Sequence, residues 1–498
     1  MLKILMVASE YEGLAKTGGL ADAVAGLARA LAETGHDVRL VLPRYRDIPV
    51  PIEALHPVVL PALCSTKGPA KPFATFETRK GGHIVYLLDQ TEYFSRSGLY
   101  GSGGREFGDN AERFAFLAWA ALALAKQVGF QPDVVHAHDW QGGLVPTYLK
   151  TLYSGDTFFD RTASVFTIHN LSYQGRFSAR LLPALGLPLS EFHLDGIEFF
   201  GDVSFLKAGL MYADGLTTVS PTYAREIQTA AFGCGLHGVL RHRAHSLAGV
   251  LNGLGPLWNP ECDCAIPQPF GPERMAGKAV CKSVLQQELD LGGASQAPLL
   301  GAVTRLVEQK GIDLAIAAAE AAVAGGAQFA VLGQGEAIFR DQLNRLAKRW
   351  PRQIAFVDGF DDGLAHRIIA GADIFIMPSR FEPCGLTQMA ALRYGTIPVV
   401  TPVGGLWDSV IPTPELGAHH DAGTGFVAAG VGSDDFVQAV GRALLAYRSG
   451  GESWSRLVRR CMAKRFNWDS AAEQYLAAYQ RALAKREACE SRLQVSGR

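Results

Sequence analysis

The chain has 498 residues, which is too long for one compact core and indicates roughly two to four domains. Hydrophobic residues make up 48% and charged residues 19% of the sequence, so large cores can form and extensive disorder is not expected. The formal net charge of -1 lacks the basic excess of proteins that coat nucleic acids, which argues against a nucleic-acid partner.

The cysteine pattern and the apolar runs bear on compartment and metal binding. The eight cysteines are scattered, and the close pair Cys262 and Cys264 has no neighbouring Cys or His cluster to complete a zinc site. The apolar run before Glu10 is too short for a signal peptide, and no stretch reaches the roughly 18–20 apolar residues of a membrane helix. The sequence therefore predicts a cytoplasmic protein with reduced thiols, no metal and no membrane partner.

Short apolar runs alternate with helical patterns along the first half of the chain. The run at 3–8 is followed by a glycine-rich loop and by an amphipathic helix over 20–35. The further predicted strands of this half are 37–43, 84–89, 133–138, 164–169, 215–220 and 247–252. Continuous apolar strands between helices predict a parallel sheet that is covered on both faces.

The alternation pauses at 253–275, a stretch with five prolines that we interpret as a linker. A second series of predicted strands follows at 298–303, 329–333, 354–358, 372–377, 396–400 and 424–428, and a long helix is predicted at 470–488. The fold class is therefore α/β, with two doubly wound parallel-sheet domains at 1–254 and 255–469. A helix and tail at 470–498 complete the chain.

Polar residues concentrate where these strands end. They lie at 16–19, 136–140, 169–170 and 305–310, and at Glu382. Ligands of open α/β sheets bind beyond the carboxyl ends of the strands. A cleft between two such domains would bring these ends face to face.

Three motifs in the first half are candidates for ligand binding. In "KTGGL", Lys16 and the amides after Gly18 and Gly19 favour an anion, although a plain glycine turn with a solvated lysine is the alternative. In "HAHDWQGG" and "TIHN", Asp139 could position an acceptor hydroxyl, and His169 could hold a sugar hydroxyl or shield a developing cation. A structural histidine at a strand end is the alternative for His169.

Two motifs in the second half suit a sugar diphosphate. Arg305 and Lys310 precede a helix and together match the several charged oxygens of a diphosphate, with solvated surface cations as the alternative. In "SRFEPCGL", Glu382 could accept hydrogen bonds from sugar hydroxyls, and the amides of 384–386 could hold phosphate. Glu382 could instead be a helix-start carboxylate. "GTGFVA" at 423–428 runs into a strand, so no dinucleotide loop is predicted.

Taken together, these strings resemble the bacterial glycogen synthases and plant starch synthases, glycosyltransferase family 5. The resemblance runs from about residue 3 to 480 and rests on "KTGGLAD", "DNAERFAF", "HAHDWQ", "FTIHNLSYQG", "RLVEQKG" and "MPSRFEPCGLTQ". It implies the GT-B architecture, in which two Rossmann-like domains face each other across a deep cleft. It also implies a retaining transfer of glucose from ADP-glucose to the non-reducing end of an α-1,4-glucan, glycogen, without metal or other cofactor.

The resemblance also implies roles for single residues. Arg305 and Lys310 would bind the donor diphosphate and stabilise the departing ADP, and Glu382 would contact the glucose through a transition state of oxocarbenium character. The other implied contacts are Lys16, Gly18 and Gly19 near the diphosphate, Cys384, Gly385 and Leu386 near the glucose and phosphates, His169 and Asn170 on the glucose, Asp139 and Tyr100 on the acceptor and sugar side, and Asn252 in the cleft. The C-terminal helix would cross back onto the first domain.

Three positions depart from what is usual in related enzymes. Ala390 stands where many glycosyltransferases of this fold have a second glutamate, although the glycogen and starch synthases usually lack it. Val403 replaces the usual threonine before two glycines, and Gly255 replaces a frequent aspartate. The alternatives left open are a UDP-glucose donor, a small acceptor, or a non-catalytic glucan-binding paralogue. A glycogen phosphorylase and a nicotinamide oxidoreductase are disfavoured.

Overall fold

The computed structural model describes residues 1–48, 56–58, 71–292, 296–414 and 423–496, and it divides into two compact units. The first unit is Met1–Gly253 together with the C-terminal segment from Trp468, and the second unit is Leu254–Asn467. The six cysteines whose side chains are described, at 234, 262, 264, 281, 384 and 461, are free thiols. Cys64 and the side chain of Cys489 lie outside the described residues.

A nine-stranded sheet forms the centre of the first unit, in the order β14-β13-β9-β8-β1-β2-β5-β4-β3. The strands of this unit are β1 Lys3–Val7, β2 Asp37–Pro43, β3 His56–Val58, β4 Ala74–Lys80, β5 His83–Asp89, β6 Gly101–Ser102, β7 Arg105–Glu106, β8 Val134–His138, β9 Ala163–Ile168, β10 Arg176–Ser178, β11 Glu198–Phe199, β12 Asp202–Ser204, β13 Gly215–Thr218 and β14 Leu247–Gly249. All neighbours in the large sheet are parallel except the β3-β4-β5 edge, which is antiparallel.

That antiparallel edge was not predicted. Strand β4 ends in four successive polar residues, 77–80, and the chain returns to β5 through Gly81 and Gly82, both with positive φ. Paired positive-φ residues are typical of tight hairpin turns. Strands β6–β7 and β10–β12 form two small separate sheets.

Helices cover the large sheet of the first unit. They are α1 Gly19–Glu33, α2 Thr91–Phe94, α3 Asn110–Gln127, α4 Asp139–Gly142, α5 Leu144–Lys150, α6 Phe205–Tyr212, α7 Pro221–Glu226 and α8 His237–His242. Helix α3 is buried almost from end to end. A helix that is apolar on all sides lies between other layers of a core, and its ring of alanines allows that close packing.

The second unit has a six-stranded, wholly parallel sheet. Its elements are α9 Ala276–Glu288, β15 Leu299–Val303, α10 Ile312–Ala324, β16 Gln328–Gly333, α11 Ala337–Arg349, β17 Ile354–Asp358, α12 Asp362–Gly371, β18 Ile374–Met377, α13 Thr387–Arg393, β19 Ile397–Val400, α14 Gly404–Ser409, β20 Phe426–Val427, α15 Ser433–Ser449 and α16 Gly451–Ala463. The order β17-β16-β15-β18-β19-β20 is the doubly wound 3-2-1-4-5-6 order of the Rossmann fold.

The C-terminal helix α17, Trp468–Ser496, packs on the first unit against α1, β9 and β13. Its indole at Trp468 lies where Gly26 and Gly253 leave room, and a Cβ on Gly26 would come within 2.1 Å of the ring. A larger residue at Gly26 would therefore displace the start of α17. No helix in the described part of the chain is both long and apolar enough to cross a membrane.

Candidate active site

The topology of each sheet selects two strand ends as the place for a ligand. In the first unit, strands β2 to β5 lie on one side of β1, and β8 and the later strands of the sheet lie on its other side. The strand order therefore reverses between β1 and β8, which makes this the switch point. In the second unit it lies between β15 and β18. Crevices at such switch points are where open α/β sheets bind ligands. The loops after β1 and β8, and those after β15 and β18, hold most of the predicted site residues.

A buried carboxylate organises the glycine-rich loop after β1. Glu10 is 3% exposed, and its Oε2 accepts hydrogen bonds from the amides of Thr17 (2.7 Å) and Gly18 (3.2 Å). Its Oε1 accepts from the Thr17 hydroxyl and from the Tyr100 hydroxyl, each at 2.6 Å. The Gly18 amide is therefore bonded to the protein's own carboxylate, and the expectation that the Gly18–Gly19 backbone binds an anion stays a prediction.

Lys16 and Gly19 flank this anchored loop. The Lys16 ammonium lies 2.8 Å from Oδ1 of Asp22, one turn into α1, and its side chain is 39% exposed. Gly18 has extended backbone and open space where a Cβ would stand, so neither strain nor packing in the chain requires a glycine there. An anion that approaches Gly19 at the start of α1 would meet a helix N-terminus.

Tyr100 links the same carboxylate to an aromatic cluster. Its hydroxyl lies 2.8 Å from the Ser9 hydroxyl in addition to its bond to Glu10, and its ring packs against Phe114 and Trp140. Burial, together with the neighbouring Glu10 charge, raises the pKa of Tyr100 well above its ordinary value. Tyr100 is therefore a neutral hydrogen-bond donor to Glu10 at any physiological pH.

Asp139 begins α4 directly after β8 in a left-handed backbone conformation, with φ of 51°. A non-glycine residue in this region is strained, and such strain is retained where the surroundings impose it. Here Oδ1 accepts hydrogen bonds from the amides of His169 (2.7 Å) and Asn170 (3.4 Å). Burial raises the pKa of Asp139 to about 7 despite these two bonds. Asp139 thus fixes the loop that carries His169 and Asn170.

His169 follows β9 and bonds to a second histidine rather than to a carboxylate. Its Nε2 lies 3.1 Å from Nδ1 of the buried His138. Burial lowers the pKa of His169 to about 3, so its imidazole is neutral at physiological pH. The side chain of Asn170 accepts from the Ser172 amide at 3.0 Å. Asn252 follows β14, is 5% exposed, and its Oδ1 has no hydrogen-bond partner among the described residues.

In the second unit the loops after β15 and β18 meet through a buried ion pair. The Lys310 ammonium donates to Oε2 of Glu382 at 2.5 Å, and the side chains are 16% and 7% exposed. The Ser379 hydroxyl donates to the same oxygen at 2.9 Å. Gly311, the next residue after Lys310, has φ of 61° and packs closely against Pro378. A Cβ on Gly311 would lie 2.1 Å from the carbonyl oxygen of that proline. Only glycine allows the two loops to approach this far.

Arg380 occupies the same corner but pairs with a different acid. Its guanidinium donates to both carboxylate oxygens of Asp313, at 2.9 and 2.7 Å, and to the carbonyl of Glu308. This bidentate bond lowers the pKa of Asp313. Arg380 therefore fastens the corner to the first turn of α10, and Glu382 is left to Lys310.

The segment after Glu382 is shaped by close backbone packing. Gly385 has φ of 70°, and the Gln388 amide donates to the carbonyls of Cys384 (3.1 Å) and Gly385 (3.0 Å). Leu386 is the N-cap of α13. The Gly405 amide donates to the Glu382 carbonyl at 3.0 Å, and a Cβ on Gly405 would lie 2.0 Å from the Cys384 carbonyl oxygen. The double-glycine loop thus packs directly on the 382–386 corner.

Arg305 lies beyond the end of β15, as Lys310 does, and its side chain is exposed. Val403 is 3% exposed, is the N-cap of α14 and makes no side-chain cap. Ala390 is buried inside α13. Among the described residues, no group of three or more His, Cys, Asp or Glu side chains is arranged to hold a metal ion.

Comparison with known proteins shows the family of this chain. Residues 3–242 match the model of the starch synthase catalytic domain, and residues 297–445 match that of glycosyl transferases group 1. The glycogen synthase of Anaeromyxobacter dehalogenans strain 2CP-C is 47% identical over 480 residues, which cover 96% of this chain and 99% of that protein. The chain belongs to the glycogen and starch synthase family. Glycogen synthase 2 of Geobacter sulfurreducens is 42% identical over 482 residues, covering 97% of this chain and 99% of that protein.

Solved structures of other proteins have the same fold as this chain. The catalytic domain of starch synthase IV from Arabidopsis thaliana, bound to ADP and acarbose, matches with a TM-score of 0.88 and 34% identity, covering 97% of this chain and 99% of that one. Sucrose-phosphate synthase from Thermosynechococcus elongatus matches with a TM-score of 0.61 at 17% identity, covering 97% of this chain and 100% of that one, which shows a shared fold. The predicted α/β class, its GT-B architecture and the family are confirmed, and the chain is a glycosyltransferase.

Several residues that shape these strand ends were missed from the sequence. They are Glu10, Ser379, Gln388, Asp313 and His138. A signal existed for Glu10, an acid that directly follows a buried strand in "MVASE". The partners of the others are contributed by distant or neighbouring loops, which no local pattern reveals.

Proposed function

We propose that this chain transfers glucose from ADP-glucose to the non-reducing end of an α-1,4-glucan such as glycogen, with retention at the anomeric carbon and release of ADP. This is the activity of an ADP-glucose:1,4-α-D-glucan 4-α-D-glucosyltransferase in glycogen biosynthesis. Two observations support this choice of substrates. The relatives that match over nearly their whole length are named glycogen synthase, and starch synthase IV was solved with ADP and acarbose bound.

The observation that carries the proposal is the Lys310–Glu382 pair at the switch point of the second sheet. A lysine ammonium has three N–H groups, so Lys310 can keep its bond to Glu382 while it donates to diphosphate oxygens. Arg305 on the same strand end adds a second cation, and the two stabilise the negative charge that develops on the leaving ADP. In this proposal their charges, without a metal ion, neutralise the diphosphate.

In our assignment the carboxylate of Glu382 binds the transferred glucose. Ser379 and Lys310 both bond to its Oε2, and in our assignment its Oε1 accepts hydrogen bonds from glucose hydroxyls. The tight 384–386 backbone beside it, kept free of side-chain bulk at Gly385 and Gly405, lies near the glucose and phosphates in our assignment. The positive charge of an oxocarbenium-like transition state favours a nearby carboxylate.

The first unit supplies the remaining contacts in this proposal. His169 and Asn170 bind the glucose, and Asp139 and Tyr100 serve the acceptor and sugar side. Asn252 offers to a ligand its amide oxygen, which has no hydrogen-bond partner among the described residues. Lys16 and Gly19 assist the diphosphate, and the open space at Gly18 admits it. Glu10 keeps this loop in place while occupying the Gly18 amide.

The test is an assay of ADP release from ADP-glucose, with and without glycogen, alongside the same assay with UDP-glucose. We expect glycogen-dependent release of ADP and much slower turnover of UDP-glucose. Faster turnover of UDP-glucose, or transfer to maltose or a sugar phosphate in preference to glycogen, would replace our choice of substrates. Digestion of the extended glucan by an α-1,4-specific hydrolase tests retention.

One alternative rests on particular residues. The buried Val403 cannot supply a hydroxyl to the double-glycine loop, and Gly255 has no side chain in the linker, where its carbonyl accepts from the Trp258 amide. A chain that had lost donor binding in this way would be a non-catalytic glucan-binding paralogue. That reading requires binding of glycogen, measured by co-sedimentation, without any ADP release.

A further inference from the structure

Three imidazoles form a row at the carboxyl ends of β8 and β9. Residues two apart on a strand share a face, and the rings of His136 and His138 lie 4.0 Å apart, centre to centre. His169 follows the adjacent strand, with its Nε2 3.1 Å from Nδ1 of His138. His136 and His138 are 0% and 1% exposed, respectively. We call His136, His138 and His169 the histidine row.

The C-terminal helix closes the far end of the histidine row. The hydroxyl of Tyr479, itself fully buried on α17, lies 2.8 Å from Nδ1 of His136. The Thr167 hydroxyl lies 2.6 Å from Nε2 of the same ring. Both ring nitrogens of His136 are therefore hydrogen-bonded. These bonds fix the orientation of its ring, and His138 packs against that ring.

The chemistry of the row is that of neutral rings. Burial lowers the pKa of His136 to about 3 and that of His138 well below its ordinary value, as it does for His169. A neutral imidazole has one N–H donor and one acceptor nitrogen. In the bond between His138 and His169, one ring donates and the other accepts, so the tautomer of one ring determines that of the other.

The second nitrogen of His138 decides between the two arrangements. Nε2 of His138 is buried and has no hydrogen-bond partner among the described residues. A buried N–H without an acceptor is rarer in proteins than an acceptor without a donor. The favoured arrangement therefore has the proton of His138 on Nδ1, where it donates to Nε2 of His169. His169 must then carry its own proton on Nδ1.

We propose that His138 is a positioning residue that fixes His169 in the tautomer protonated at Nδ1, and that Tyr479 of the C-terminal helix supports it through His136. The consequence rests on the proposed function: His169 presents an N–H donor, and it binds an oxygen of the transferred glucose as an acceptor. A residue more than 300 positions away along the chain, on a helix outside the sheet, thereby acts on the sugar contact.

The tautomer can be measured on the wild-type protein without any assay of activity. Histidine labelled with ¹⁵N and long-range ¹H–¹⁵N correlation spectra distinguish the two neutral tautomers, and the spectrum of the His169→Gln variant assigns the His169 signals. We expect a protonated Nδ1 and an unprotonated Nε2 at neutral pH. A protonated Nε2, or a cationic ring, would overturn the proposal even if the enzyme proved fully active.

Variants of His138 test its role in turnover. His138→Asn keeps a side-chain N–H near the position of Nδ1, whereas His138→Phe keeps a ring of similar size without nitrogen. We expect His138→Phe to lower kcat at least about tenfold, the factor that corresponds to one lost hydrogen bond, while KM for ADP-glucose changes little. His138→Asn should restore most of that loss. Equal kcat values in the two variants, with native spectra for both, would contradict the positioning role.

Tyr479→Phe and Tyr475→Phe form a matched pair on α17. Both rings pack near His136, and the Tyr479 hydroxyl lies 2.8 Å from its Nδ1. We expect Tyr479→Phe to lower kcat several-fold, and Tyr475→Phe, which keeps its ring beside His136, to lower kcat less. If both variants behave alike, α17 does not act through His136. If the wild-type protein releases no ADP at all, the proposed function fails, and the tautomer measurement alone decides this inference.

Discussion

Removal of the Lys310 charge should destabilise the second unit as well as slow the reaction. The pair with Glu382 is short, at 2.5 Å, and both side chains are largely shielded from water. At an effective dielectric constant of ~20, two unit charges at this distance attract by about 7 kcal/mol, most of which offsets the cost of their desolvation. Lys310→Met leaves the Glu382 carboxylate buried without its counter-charge, which typically costs about 3–5 kcal/mol.

This cost has a measurable size in calorimetry. For a domain of the size of the second unit, each kcal/mol shifts Tm by about 2–4 °C, so we expect the transition of that unit to fall by roughly 6–20 °C in Lys310→Met. The double variant with Glu382→Gln removes both charges and should recover most of the lost Tm. Lys348→Met, an exposed lysine of the same unit, is the matched control and should leave Tm unchanged.

Activity and stability should separate in this series. ADP release should fall about 100- to 1,000-fold in Lys310→Met and should not recover in the double variant, because the loss there is of transition-state stabilisation. An unchanged Tm in Lys310→Met would refute the reasoning, since the carboxylate would then be stable in its site without the ammonium. A double variant as unstable as Lys310→Met would also refute it.

Three further changes test other parts of the site. Glu10→Ala should raise KM for ADP-glucose about tenfold or more by releasing the Thr17–Gly18 loop, while Glu10→Gln, which keeps one acceptor oxygen, should raise it less; steady-state kinetics decides. Asp139→Asn should gain stability relative to wild type as the pH rises from about 4 to 7. The pKa of Asp139 is about 7 in the folded protein and 3.8 ordinarily, so the protonated carboxyl of the wild type stabilises the fold fully below pH 3.8, and this stabilisation is lost by pH 7. The difference is ~4 kcal/mol, which measurements of Tm against pH should show. Val403→Thr should lower the Kd for ADP by calorimetric titration if a hydroxyl at that helix start binds phosphate, and an unchanged Kd would assign the position to packing alone.

The sequence was most informative about local structure. Continuous apolar runs such as those of β8 and β15 predicted buried parallel strands to within a residue or two, because a strand covered on both faces has no polar alternation. The β4–β5 hairpin was not predicted, because β4 is half exposed and its sequence is mostly polar. The strand orders themselves depend on pairing between distant segments, so they were outside the reach of any pattern in the sequence.

The candidate site was predictable by residue type but not by partner. Glu382, Lys310, His169 and Asp139 were singled out from their places after strands, and each of them does lie at a strand end. What each one touches was not predictable: Asp139 holds backbone amides, and Arg380, which stands beside Glu382 in sequence, bonds to Asp313 instead. Hydrogen bonds of this kind depend on loops whose geometry is set by glycines such as Gly311.

The two units use the same device at their switch points with different chemistry. In each, a buried carboxylate beyond a central strand fixes a loop. Glu10 fixes the glycine-rich loop that follows its own strand and accepts from neutral donors among the described residues, whereas Glu382 fixes the loop after β15 and accepts from an ammonium. An ion pair contributes little net charge, so the pair in the second unit orients Lys310 more than it attracts an anion from a distance. Arg305 on the same strand end is exposed, and salt screens the attraction between an exposed cation and a charged ligand, so raising the salt concentration should weaken donor binding in part through Arg305. Arg305→Gln should therefore flatten the dependence of KM for ADP-glucose on ionic strength, and a slope equal to that of the wild type would place the attraction elsewhere.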